Sequence, residues 1–168
     1  MISTGKINAK NKEEFYRIFI AKLRALLSSE SDDLANATNS AAFIYDNLLG
    51  VNWAGYYIMK KGELVLGPFC GKVACTRINI NKGVCGYAAR EKKAVLVENV
   101  HDFEGHIACD SASNSEIVIP IMDGDEVLGV LDIDSPLFSR FDSTDKENLT
   151  KTVELIKKHI DFNKFINI

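Results

Sequence analysis

The segment GHIACDSASNSEIVIP, residues 105–120, sets a thiol (Cys109) and a carboxylate (Glu116) just ahead of an apolar run built for burial. A hydrophobic core needs neither. Further along, GVLDID places Asp132 and Asp134 at the end of a second apolar run. A hairpin turning about Asp123-Gly124-Asp125 brings Glu116 level with Asp132 and Asp134, so three carboxylates converge. Like charges that close raise one another's pKa, and partial burial raises it further. Such a cluster suits a bound cation, or an acid that keeps its proton at neutral pH. His101 and His106 lack the spacing of a metal-ligand pair. No metal is expected, and an organic ammonium is the preferred cation.

A free thiol of pKa about 8.5 is only a few per cent thiolate at neutral pH. Neighbouring acids lower that share, so Cys109 makes a poor general-purpose nucleophile. It suits a reaction in which an acid protonates the substrate as sulfur attacks, and attack on a sulfoxide is one. The product on the protein is a sulfenic acid, which a second thiol converts to a disulfide. Cys75 and Cys85 are both available as that thiol. Trp53 and Tyr57, four residues apart in a strand pattern, share a face and can wall a small pocket beside the acids. Against this stands an ordinary reading: strand aromatics are usually core, free cysteines are usually buried small hydrophobes, and a strand ending in Asp often just reaches solvent.

These residues need a scaffold. Phe15, Ile18, Phe19, Leu23, Leu26 and Leu27 form one stripe of a helix over Lys12–Leu27. After the capping run SSESDD, a second helix is expected from about Asp32 to Leu49, presenting Leu34, Ala37, Ala41, Ile44, Tyr45 and Leu48. NWAGYYIM and GELVLGPF read as strands joined by a turn at Lys60-Lys61-Gly62, and RINI as a short strand. GVCGYAAREKK reads as a short helix, AVLVENV as a strand, and His101–Ser115 as a polar loop. SEIVIPIM and EVLGVLDID form the hairpin. In its second strand Val127, Gly129, Leu131 and Ile133 are expected on one face, and Leu128, Val130, Asp132 and Asp134 on the other. A last helix follows the caps of DSTDKE and buries Leu149, Val153, Ile156 and Ile160. Strands linked mostly as hairpins, with helices around them, imply an α+β fold with a central antiparallel sheet.

The totals agree with one soluble domain over residues 1–168: a helical segment at about 12–49, sheet and site at about 50–135, and a terminal helix at about 143–162. Hydrophobic residues make up 46% and charged residues 26%. A net charge of −3 gives no electrostatic reason to expect nucleic acid or anionic lipid as a partner. No apolar run approaches the roughly 20 residues of a membrane span, and the start lacks a secretory stretch. A cytoplasmic location is the default. There the four cysteines, Cys70, Cys75, Cys85 and Cys109, are not expected to form permanent structural disulfides. None belongs to a C-x-x-C pair.

The pieces NWAGYY, GPFCGKVAC, GVCGYAA, NVHDFEGHIACDSASNSEIVIPI and GVLDIDSP cover about half the chain. Together they resemble the free methionine-(R)-sulfoxide reductases, which are single GAF domains. The long segment through Cys109 is specific, whereas GVLDIDS alone is a general GAF feature. The resemblance implies a GAF-like sheet and a thiol-dependent reduction of free methionine-(R)-sulfoxide. It implies Cys109 as nucleophile, Cys75 as the resolving thiol that closes a disulfide with it, and a secondary role for Cys85. Glu116, Asp132 and Asp134 would hold the amino acid and its sulfoxide oxygen, and Trp53 and Tyr57 would surround its methyl group. It further implies no bound cofactor, regeneration by thioredoxin, and a homodimer. Cys70 departs from the family pattern, which usually has a non-thiol residue there. The alternative is a non-catalytic GAF module that senses a small molecule or redox state.

Overall fold

A computed structural model describes residues 6–105 and 111–166. Two helices come first, α1 (Lys12–Ser28) and α2 (Asp33–Asn47). Side chains of Asn11 and Asp32 cap them by accepting from the backbone N–H groups of Glu14 and Ala35. The strands are β1 (Trp53–Lys60), β2 (Glu63–Gly71), β3 (Arg77–Asn79), β4 (Val95–Val97), β5 (Ser115–Asp123) and β6 (Glu126–Ser135). Helix α3 (Gly83–Glu91) lies between β3 and β4, and α4 (Ser143–Ile156) and α5 (Asn163–Ile166) follow β6. The sheet order is β3-β2-β1-β6-β5-β4, with every pairing antiparallel.

Period-two alternation gives this sheet two separate cores. Ala54, Tyr56, Ile58, Ile117, Ile119, Ile121, Leu131 and Ile133 face a layer that includes Phe19, Leu23 and Leu27 of α1, Ala41 and Ile44 of α2, and Leu149, Val153 and Ile156 of α4. The opposite face carries Trp53, Tyr57, Val118 and Val130 against Val84, Cys85, Ala88 and Ala89 of α3. β6 lies between β1 and β5 and is covered on both sides, as its apolar texture suggests.

The β5–β6 hairpin turns at Gly124-Asp125, where Gly124 has the positive φ of 55° that its turn position favours. The same hairpin corrects the expected faces of β6. Met122 pairs with Val127 while Ile121 pairs with Gly129, so Leu128 is an extra residue in the ladder. That bulge exchanges the sides of Val127 and Leu128: Leu128 joins the helix-side core and Val127 packs with the α3-side cluster. Residues beyond the bulge keep their expected faces. Other boundaries also differ. Leu34 and Tyr45 belong to the expected apolar stripe of α2 but are exposed. Ser115 is the first residue of β5, as the run SEIVIPIM suggests. The terminal helix, expected to run to about residue 162, ends at Ile156, and α5 follows as a separate turn. Ile160 is nonetheless buried.

The chain ends are fastened together. Asp142 and Asp145 form a reciprocal capping box at the start of α4. Buried Asp145 also accepts from Tyr16 Oη at 2.6 Å and pairs with Lys12 Nζ at 2.6 Å, which ties α1 to α4. Among the described residues, no helix is long and apolar enough to cross a membrane.

Candidate functional site

The site lies on the α3 side of the sheet, where β1, β6 and β5 run side by side. Register fixes its parts: Trp53 pairs with Asp134 and Gly55 with Asp132 across β1–β6, while Glu116 pairs with Asp134 and Val118 with Asp132 across β5–β6. Alternation then places Glu116, Asp132 and Asp134 on the face that carries Trp53 and Tyr57. The carboxylate convergence and the shared aromatic face thus hold as expected. Trp53 and Tyr57 stack with centroids 5.8 Å apart, and Trp53 stacks again on Phe69 at 5.3 Å.

Cys85 also joins the acids, a meeting that its position in the chain does not announce. α3 packs across β5 and β6, and Cys85 in its first turn donates from Sγ to Glu116 Oε1 at 3.8 Å. A helix N-terminus ordinarily lowers a thiol pKa. Here burial, followed by the charges of Asp132 and Glu116, outweighs it and pushes the Cys85 thiol well up. Cys85 is therefore a neutral hydrogen-bond donor rather than a ready thiolate.

Burial likewise raises the Glu116 carboxyl well above the carboxylate range, with the charges of Asp132 and Asp134 adding to it. Asp132 is pushed up by burial to about 6, while hydrogen bonds from Cys85, Glu116 and the Ile133 backbone hold it down. Among the described residues, Asp132 Oδ1 is buried without a hydrogen-bond partner. The cluster is thus acidic, buried and able to accept one further donor.

These shifts set how stability varies with pH. A carboxyl whose folded pKa lies above its unfolded value stabilises the fold at low pH. For Asp132 that contribution is complete below 3.8 and is lost as pH rises through about 6; Glu116, also raised, contributes in the same direction. Asp33, Asp142 and Glu147 are shifted downward instead, so their slopes lie on the acid side of this range. Urea midpoints of the ligand-free protein should fall between about pH 5 and 8, and Glu116→Gln combined with Asp132→Asn should flatten the fall. A midpoint rising across that range would contradict the raised proton affinities.

Cys85, Glu116 and Asp132 each offer a ligand atom within 4.8 Å of the others, the described group of this kind. A metal takes a thiol and carboxylates in deprotonated form, so binding one here would have to displace the protons that burial favours on Cys85 and Glu116. Of the remaining thiols, Cys70 is free on β2 and pushed up by burial. Cys75 is disulfide-bonded and half-buried, in the stretch between β2 and β3. Cys109, together with His106, lies outside the described residues. The flanks of that segment are fixed: Gly83 N–H donates to Gly105 O at 3.0 Å, and Asn114 N–H donates to Ser135 O at 2.8 Å. His101 meets Asn114 Oδ1 at 2.9 Å.

The GAF domain family matches residues 36–161. Free methionine-R-sulfoxide reductase of Escherichia coli K12 is 45% identical over 158 residues, spanning 92% of this chain and 96% of its own. The enzyme of the same name from Saccharomyces cerevisiae is 42% identical over 160 residues, spanning 90% and 89%. The crystal structure of free methionine-R-sulfoxide reductase from Neisseria meningitidis, solved in complex with its substrate, superposes with a TM-score of 0.90 at 34% identity and covers 98% of each chain. With an α+β sheet of this topology and identity of this extent, the chain belongs to the free methionine-R-sulfoxide reductase family of GAF-domain proteins.

Proposed function

We propose that the protein reduces free L-methionine-(R)-sulfoxide to L-methionine. The carrying observation is the buried group of Glu116, Asp132 and Cys85, in which burial favours the protonated forms of Glu116 and Cys85, on the sheet face that also carries Trp53 and Tyr57. A sulfoxide is a weak electrophile until its oxygen is protonated, and Glu116 is the acid assigned to that task. Asp132 and Asp134 receive the substrate's ammonium group, and the open Asp132 Oδ1 fits such a donor. Peptide-bound methionine lacks that ammonium, which favours the free amino acid. Trp53 and Tyr57 enclose the methyl group.

Cys109 sulfur attacks the sulfoxide sulfur, and oxygen passes to Cys109 as methionine leaves. The Cys75 thiol then attacks the sulfenic sulfur, so an S–S bond forms, the S–O bond breaks and water departs. The disulfide at Cys75 supports this reading, with Cys109 as its partner by family resemblance. Cys85 takes the secondary role of donating to Glu116. The same reading includes regeneration by thioredoxin, a homodimer, a cytoplasmic location and one GAF domain over residues 1–168, with no cofactor.

The test is incubation with dithiothreitol and racemic free methionine sulfoxide, measuring methionine and the residual epimers. Consumption should stop near half, with the R epimer gone. Binding that stabilises the protein without turnover would instead make it a sensor.

A further inference from the structure

Walling off a methyl group needs only aromatic surface, which phenylalanine supplies. Yet both wall residues here end in polar groups, and both groups point to one loop. Trp53 Nε1 donates to Lys72 O at 3.2 Å, and Tyr57 Oη donates to Cys75 O at 3.0 Å. The loop runs from the end of β2, where Gly71 pairs with Trp53, to Thr76, whose carbonyl accepts from Leu66 N–H at 3.0 Å. Gly71 has a φ of 134°, and a Cβ there would lie 2.6 Å from Trp53 Cδ1, so the chain leaves the strand pressed against the indole. Between these ties the loop stands out from the protein, with Val73 88% exposed. Its carbonyls at Lys72 and Cys75 are held from below by two rings that also stack on each other.

We propose that Trp53 and Tyr57 are positioning residues for Cys75, their N–H and O–H tips fixing the loop at the place from which its thiol closes the disulfide. This rests on the catalytic reading above and extends it to the second chemical step. In that step the Cys75 thiol gives up its proton, its sulfur bonds to the sulfenic sulfur, and the S–O bond breaks to release water. The oxidising equivalent comes from the sulfoxide already consumed. The Tyr57 hydroxyl suits a constant tie, because burial and the neighbouring acids raise its pKa and keep it protonated as a donor. The arrangement also makes one pair of rings serve two steps: their faces meet the substrate and their tips hold the resolving loop.

The test uses the pre-reduced protein with one equivalent of free methionine-(R)-sulfoxide and no reductant, quenched with dimedone over time. Methionine, trapped sulfenic acid and disulfide are then counted by mass. Compared at equal methionine formed, Tyr57→Phe should show roughly tenfold more trapped sulfenic acid than the wild type, the scale of one lost hydrogen bond. Trp53→Phe should shift the same ratio in the same direction. A wild-type ratio in both variants overturns the proposal, even if their overall turnover falls. If the wild type itself forms no methionine, the catalytic reading fails separately. Amide exchange of residues 72–76 then decides on the loop tie: faster exchange in Tyr57→Phe upholds it, and unchanged exchange overturns it.

Discussion

Replacing Glu116 with glutamine lowers turnover of free methionine-(R)-sulfoxide by about a hundredfold or more, the usual scale for losing a general acid, without loss of folded protein. Glutamine matches the shape of the protonated side chain that the pocket favours, since burial and the charges of Asp132 and Asp134 keep Glu116 in its neutral form. The packing and the contact with Cys85 Sγ therefore survive in outline. What the amide cannot do is release a proton to the sulfoxide oxygen. Its effect should also differ from that of Asp132→Asn, which removes a charge facing the ammonium and should act more on KM. Steady-state kinetics beside urea unfolding makes the check. Wild-type kcat in a stable Glu116→Gln protein would take the acid role away from Glu116 and leave Asp132 as its holder.

Cys109→Ser should abolish turnover, with a loss of more than about a thousandfold, because no other sulfur can accept the oxygen. Free Cys85 is buried and held neutral, so it is not a substitute. Cys70 is likewise shifted toward its thiol form. Cys75→Ser should behave differently. A small thiol can still reach a sulfenic acid directly, so activity with dithiothreitol persists while activity driven by thioredoxin falls further. Normal activity in Cys109→Ser refutes the nucleophile assignment. Equal activity with both reductants in Cys75→Ser would move the resolving role to Cys85 or Cys70.

What could be read from the sequence was set by local rules. The stripes of α1 and α4, the cap at Asp142, and the turns at Lys61-Gly62 and Gly124 each depend on residues a few positions apart. The meeting of Glu116 with Asp132 and Asp134 follows from one hairpin register, which its turn fixes. The bulge at Leu128 is not visible to alternation, which assumes an unbroken ladder, and one extra residue exchanges the faces of Val127 and Leu128 on its turn side. The pairing of β1 with β6 joins strands about 75 residues apart, so no turn announces it. The contact of Cys85 with Glu116 likewise depends on long-range packing. Only when α3 lies across β5 and β6 does it become a hydrogen-bond donor to an acid. Leu34 and Tyr45 failed differently: they fit the helical period of α2 but sit at the edge of its stripe, outside the buried interface.

The two-faced sheet divides labour within single strands. Odd positions of β5, such as Ile117 and Ile119, anchor the helical layer, while Glu116 and Val118 look the other way. Foundation and chemistry therefore share a backbone but hardly any side-chain neighbours. The architecture can be refurnished on its reactive side, swapping one ligand for another, while the masonry behind it stands undisturbed.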